Sequence, residues 1–251
     1  NGRITKKSFN RWKILTTFSK KIFEKFDLCI AANIESENYL KILGAKNIKN
    51  YGNLKFANTK INNTKTDFAL SKKIENRKVW CAASTHPSEE IFCAKSHIQI
   101  KKTHKNILTI IIPRHINRIH TIYNELSDLN LNIILYSNYK NINSETDILL
   151  IDAYGESSKF FKISECVFLG GSLIKHGGQN PIEASRFGCK IYHGPNVNNF
   201  SEIYGYLKAH GVANQINTFE ELNQSVVEEF KTSKNTNDQI IEKIENYGLD
   251  I

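Results

Sequence analysis

From residue 76 onward, short runs of β-branched and apolar residues alternate with stretches whose apolar positions recur every three or four residues. Continuous apolar runs of this kind fit buried strands, and the longer period fits helices laid on a sheet. The pattern predicts strands near 78–83, 107–112, 131–136, 148–151, 165–169 and 190–193. It predicts helices near 87–100, 116–128, 157–163, 181–187, 201–209 and 219–231, and a last one near 236–246. Such alternation describes an α/β domain with a doubly wound parallel sheet. Ahead of it lie an amphipathic helix over 13–26, a strand over 27–32, a helix over 35–43 ending at Gly44, and a strand over 48–51. That is only part of an α/β unit. Residues 57–75 are polar with little periodicity until Phe68-Ala69-Leu70, so they read as an interdomain linker. The expected organisation is a first domain in 1–56, a linker over 57–75 and a ligand-binding domain over 76–251, whose last helix is free to pack back on the first domain.

Charge divides the chain at the same place. Residues 1–75 carry 16 Lys and Arg against 6 Asp and Glu, whereas 76–251 carry 18 against 19. A basic segment beside a near-neutral domain suits an anionic membrane surface, an acidic substrate or nucleic acid. No helix-turn-helix, RRM or zinc-finger pattern accompanies it, so nucleic acid is not expected as a partner. No apolar run approaches the ~20 residues of a membrane helix, and no signal-peptide pattern opens the chain. The five cysteines show no CxxC spacing, which points to reduced thiols in a cytoplasmic setting. The first residue is Asn1, which suggests a fragment or a processed product.

The chemistry concentrates in loops that follow predicted strands, where open parallel sheets place their ligands. The densest is 168–183, Phe-Leu-Gly-Gly-Ser-Leu-Ile-Lys-His-Gly-Gly-Gln-Asn-Pro-Ile-Glu. Gly170-Gly171 would let backbone approach a ligand closely. Asn180, Pro181 and Glu183 read as an N-cap, a first helical residue and a capping-box partner. Gly177 and Gly178 would leave the first amides of that helix open to a phosphate or carboxylate. Ser84-Thr85-His86-Pro87-Ser88-Glu89-Glu90 follows the strand at 78–83 as another capped helix start, Pro113-Arg114-His115 puts a guanidinium on the same rim, and Asp152-Ala153-Tyr154-Gly155-Glu156 follows the strand at 148–151. Each loop alone has an ordinary reading as a cap, a surface cation or a solvated carboxylate. Together they describe a site for a sugar nucleotide. No DxD triplet is present, so no bridging metal and no cofactor are expected, and Arg114 with helix amides would neutralise the phosphate. GxSxG, GxxxxGK[ST], HExxH and GxGxxG patterns are absent.

Six ordered segments carry a family resemblance: 1–8 (Asn-Gly-Arg-Ile-Thr-Lys-Lys-Ser), 52–56 (Gly-Asn-Leu-Lys-Phe), 80–90, 113–115, 168–183 and 194–200. Together they resemble the 3-deoxy-D-manno-octulosonic acid (Kdo) transferases of lipopolysaccharide synthesis. The resemblance implies a two-domain GT-B glycosyltransferase. It would move Kdo from CMP-Kdo to a lipid A precursor (lipid IVA) at the cytoplasmic face of the inner membrane, inverting and without metal. It also implies that the chain covers the end of the acceptor domain and all of the donor domain. The general base and the membrane-associating segment would then lie in a preceding part, leaving this stretch able to bind donor without turnover. Carried over by motif, the donor site comprises Ser84, Thr85, His86, Arg114, Gly170, Gly171, Ser172, Gly178, Asn180 and Glu183. Lys55 and Arg114 would be charge stabilisers, and Arg3, Ser8, Glu156 and Asn199 stand in a second rank, the first two in the interdomain cleft. Two positions depart from the family's pattern: Gln179 stands for a usual His, and Ala153-Tyr154 for a usual Thr-Met. Two other readings compete, namely a different GT-B enzyme using a UDP-sugar, either transferase or epimerase, and a nucleotide- or nucleic-acid-binding module without chemistry.

Overall fold

The computed structural model describes residues 2–51, 68–231, 238–242 and 244. The chain divides into two compact units, within 1–60 and 61–244.

The first unit contains helices α1 (Lys6–Ile14) and α2 (Thr16–Phe23), strand β1 (Cys29–Ala31), helix α3 (Ile34–Leu43) and strand β2 (Ile48–Asn50). The two strands pair in parallel, and Gly2 bridges to Ala31 beside them. Ala31, Leu40 and Ala45 form a small core against Ile4, Phe23, Cys29 and Ile48. The single helix expected over 13–26 is two helices, and the first begins much earlier. Thr5 caps it by accepting the Ser8 amide. It ends where Leu15 leaves helical geometry and the Thr16 hydroxyl takes the Lys13 carbonyl at 2.6 Å.

The second unit begins with α4 (Phe68–Ile74), which falls within the stretch read as linker; its Leu70 and Ile74, four residues apart, are buried. Then follow β3 (Lys78–Thr85), α5 (Glu89–Lys101), β4 (Ile107–Pro113), α6 (Ile119–Ser127), β5 (Ile133–Leu135), β6 (Ile148–Leu150), α7 (Ser157–Phe161), β7 (Cys166–Leu169), α8 (Ile182–Arg186), β8 (Lys190–His193), α9 (Ser201–Ala209), β9 (Ala213–Gln215) and α10 (Phe219–Glu229). Every pairing is parallel, in the order β5-β6-β4-β3-β7-β8-β9. Trp80, Ala82 and Phe168 on one face of the sheet pack with Cys93 and Ile100 of α5, Ile122 and Leu126 of α6, and Leu222 and Val226 of α10. Strand alternation sends Val79, Cys81 and Ala83 to the other face, which is also buried. Both faces are thus covered, as a parallel sheet requires. Strand β9 was not expected. It is an edge strand of three residues with Asn214 and Gln215 exposed, so it lacks the apolar run that marks the others.

Candidate active site

The chain leaves β3 for β4 on one side and leaves β7 for β8 on the other. Loops that diverge in this way open a crevice at the carboxyl ends of the two strands. Its walls are the segment after β3 and the glycine segment after β7, with the loop after β4 alongside.

Ser84 turns the first wall out of the sheet. It has φ +55°, and the register with β4 shifts between Ala83 and Thr85, so Ser84 is the extra residue of a bulge. Its carbonyl accepts from His86 Nδ1 at 3.0 Å, and the Arg114 amide donates to the Thr85 carbonyl at 2.9 Å. This second bond ties the loop after β4 to the loop after β3. The side chains of Arg114 and His115 remain exposed on the rim.

Two glutamates that the sequence reading did not single out hold the crevice together. Glu89 is fully buried, and its carboxylate accepts the amides of His86 (2.9 Å), Gly171 (2.7 Å), Ser172 (3.1 Å) and Leu173 (3.0 Å). The amides of the glycine turn, expected to face a ligand, therefore hold the protein's own carboxylate. Gly170 serves the same packing. A Cβ there would lie 2.5 Å from the Ser84 carbonyl oxygen, 2.6 Å from Thr85 Cα and 2.7 Å from Glu89 Oε2, so its missing side chain admits the opposite wall rather than a nucleotide. Glu90, equally buried, accepts from the Thr85 hydroxyl at 3.0 Å and from both terminal nitrogens of Arg118 at 2.9 and 3.3 Å. The Ser172 hydroxyl is also engaged internally, donating to the Leu169 carbonyl and accepting the Gly194 amide.

The expected capping box at Asn180 does not form. Asn180 Oδ1 accepts the Ile182 amide at 3.1 Å, but Glu183 turns away and accepts from the Ser158 hydroxyl at 2.9 Å. The helix that follows is only five residues long, and the Gly178 amide donates to the Gly171 carbonyl at 2.8 Å. Asn199 steadies this loop, its side chain donating to the His176 carbonyl and its amide to the Gly177 carbonyl. Glu156 forms an ion pair with Lys159.

What remains directed at the crevice is a group of imidazoles. His86 is 5% exposed, with ring centroids of His176 at 4.4 Å and His115 at 6.0 Å. Burial pushes the His86 imidazole below its ordinary pKa, and His176 pushes in the same direction. Among the described residues no group of three or more His, Cys, Asp and Glu side chains could hold a metal ion. Arg3 and Ser8 belong to the first unit, where both line a cleft of about 420 Å³ with Trp12, Phe23 and Leu28. Lys55 lies outside the described residues.

Residues 1–58 match the family model described as 3-Deoxy-D-manno-octulosonic-acid transferase (kdotransferase). The whole chain aligns with the 3-deoxy-D-manno-octulosonic acid transferase of Haemophilus influenzae at 29% identity, covering 59% of that protein. The enzyme of the same name from Rickettsia bellii is 33% identical over 88% of this chain and 53% of its own length. The chain is similar to the Kdo transferases along its whole length. It spans about half the length of the curated relatives it matches. Among solved structures, the C-terminal CMP-Kdo binding domain of WaaA from Acinetobacter baumannii superposes with a TM-score of 0.65, covering 70% of this chain and 93% of that one at 24% identity. The fold is the GT-B fold.

Proposed function

We propose that this chain carries the donor-binding part of an enzyme that transfers Kdo from CMP-Kdo to a lipid A precursor, lipid IVA, in lipopolysaccharide synthesis. Transfer inverts the anomeric centre and needs no metal ion. The observation that carries this reading is the crevice between β3 and β7, where an exposed guanidinium and a buried imidazole stand on walls locked by Glu89 and Glu90. A rigid rim with its carboxylates turned inward suits an anionic donor.

Within it, Arg114 binds the CMP phosphate and stabilises the charge that develops as CMP departs. Glu183, exposed and accepting from the Ser158 hydroxyl, takes ribose hydroxyls. His86 and Gly171 face the reacting end, while Ser84, Thr85, Gly170, Ser172, Gly178 and Asn180 keep the walls in shape. Lys55 is a second charge stabiliser, and the general base belongs to the half of the family's length that this chain does not span. In the first unit, Ile14, Leu15 and Phe18 are exposed beside Lys6, Lys7, Lys13, Lys20 and Lys21. That mixture suits peripheral attachment to an anionic bilayer at the cytoplasmic face of the inner membrane, with the phosphorylated acceptor beside it. No described helix is long and apolar enough to cross a membrane.

Calorimetric titration with CMP, UMP and UDP, with and without magnesium, tests the donor. The expected result is a preference for CMP that magnesium does not alter. A uridine preference would transfer the chain to the UDP-sugar branch of GT-B enzymes.

A further inference from the structure

His86 has a polar atom that the fold leaves unanswered. The Ser84 carbonyl can only accept, so the contact at 3.0 Å fixes the proton of the neutral ring on Nδ1. The other nitrogen, Nε2, is buried and has no hydrogen-bond partner among the described residues. A buried polar atom left in this way is uncommon and costs stability, so it calls for a partner that arrives from outside.

The space beside it is shaped by the missing side chain of Gly171, whose φ is +65°. A Cβ at that position would lie 3.1 Å from His176 Nδ1, 3.2 Å from His86 Cε1 and 3.3 Å from Gln179 Nε2. Two imidazoles and an amide thus close in on the turn where a side chain would otherwise stand, with His115 edge-on to His86. The charged and titratable groups facing His86 are Glu89 and Glu90 from α5, His115 from the loop after β4, and His176 from the glycine loop. Neither glutamate is left over for Nε2. Glu89 is committed to four backbone amides and Glu90 to Arg118 and Thr85. Yet Glu89 Oε2 lies 3.8 Å from His86 Nδ1, so a second proton on this ring would find a buried countercharge on its far side.

We infer that His86, His115 and His176 together receive the acidic group of the bound donor and that the cluster takes up a proton as it does so. This rests on the reading of the crevice as the donor site. Burial disfavours a proton on His86, and the neighbouring His176 and His115 act on it in the same direction. An anion brought to Nε2 reverses the balance, because only protonated Nε2 donates to it. The acidic group is a phosphate diester or a carboxylate, and both carry one constant charge across the range in which histidine titrates.

The experiment is an NMR titration of the histidine rings in the full chain, from about pH 5.5 to 8.5. It is run alone, with cytidine 5′-(methyl phosphate), with free Kdo and with inorganic sulfate. The expected result is an upward move of the His86 titration on saturation, and binding about tenfold tighter at pH 6 than at pH 8. The cytidine ester moving the rings assigns the cluster to the phosphate, and Kdo moving them assigns it to the sugar carboxylate. H86Q, folded or not, is not required for this result. If it folds, it should bind with an affinity independent of pH. Binding of the cytidine ester with a flat pH profile and rings that neither it nor Kdo moves would overturn the inference and leave the donor site standing, with Nε2 accepting a hydroxyl instead. Sulfate moving the rings while the cytidine ester fails to bind would uphold the cluster and remove the cytidine donor. No probe moving or binding removes both.

Discussion

The second unit buries two histidines against carboxylates, one at each end of its sheet, and they differ in completeness. At the amino ends, His97 Nδ1 meets the Thr109 hydroxyl at 2.8 Å and its Nε2 meets Asp147 Oδ1 at 3.1 Å. Asp147 also accepts Lys101 Nζ at 2.5 Å and, through Oδ2, the Asn132 amide at 3.0 Å. At the carboxyl ends, His86 has one satisfied nitrogen and one without a partner. Burial of an imidazole therefore does not separate structure from function; the balance of its hydrogen bonds does. The closed cluster ties β4, β6 and α5 together. The open one rests on an equally closed foundation, Glu89 and Glu90, and exposes only what a ligand can complete.

The largest expected effect tests that foundation. Glu89→Ala strips four amides of their acceptor, and each buried unsatisfied donor costs about 1–3 kcal/mol. Water entry relieves part of this, leaving an expected loss of about 4 kcal/mol in urea unfolding, with nucleotide binding abolished. A loss below about 1 kcal/mol would mean that the glycine turn does not depend on its internal carboxylate.

At the closed end, Asp147→Ala leaves Lys101 and His97 without their shared acceptor and should cost about 3 kcal/mol, while nucleotide affinity stays unchanged. Its pH dependence has a defined sign. Burial alone would raise the Asp147 carboxyl, but hydrogen bonds from His97, Lys101 and the Asn132 amide outweigh it and hold the group well below the usual carboxylate range. Stability from a depressed carboxyl is fully present above its unfolded pKa of about 4 and is lost as pH falls below that value. Wild-type stability should fall more steeply than that of the variant below about pH 4. Parallel slopes in acid urea titrations would show that Asp147 titrates normally.

Arg114→Ala reverses the signature. The side chain is exposed, so unfolding should not change, but CMP should bind more weakly by about 1.5–3 kcal/mol, the range for hydrogen bonds to a charged group. An unchanged affinity in the folded variant would remove Arg114 from the phosphate.

The periodic pattern exposed the sheet because its strands are buried on both sides and its helices lie on it with a regular apolar face. The same reasoning missed most of α1 and ran its end into α2, since a break that rests on Leu15 and a hydroxyl leaves no mark on the hydrophobic pattern. At the site, the loops were legible as strand-end segments rich in glycine and polar groups. Their internal wiring was not. Asn180 and Glu183 have capping-box spacing, but a tertiary partner, Ser158, takes the Glu183 carboxylate. Glu89 and Glu90 read as ordinary acids of a helix start. A signal for them did exist: they share a helical face with Cys93, Ala94, His97 and Ile100, all buried. Acids at the head of a buried stripe need partners, and three of the four amides and the guanidinium that supply them come from positions 28 to 84 residues away.

The smallest effects compare the two ends atom for atom through one pair of substitutions. Thr109→Val and Thr85→Val each replace a buried hydroxyl by a methyl group of similar size. Thr109 is one of two hydrogen-bond partners of the His97 ring among the described residues, so its loss leaves a buried nitrogen unanswered and should cost about 1–2 kcal/mol. Thr85 donates to a carboxylate that Arg118 still holds through two nitrogens, so its loss should cost only about 0.5–1 kcal/mol. Because the Thr85 hydroxyl is spent on Glu90, CMP affinity should also survive Thr85→Val. A tenfold loss of CMP binding with little loss of stability would instead mean that this hydroxyl turns from Glu90 to the ligand, and the rim would be less closed beneath His86 than its hydrogen bonds indicate.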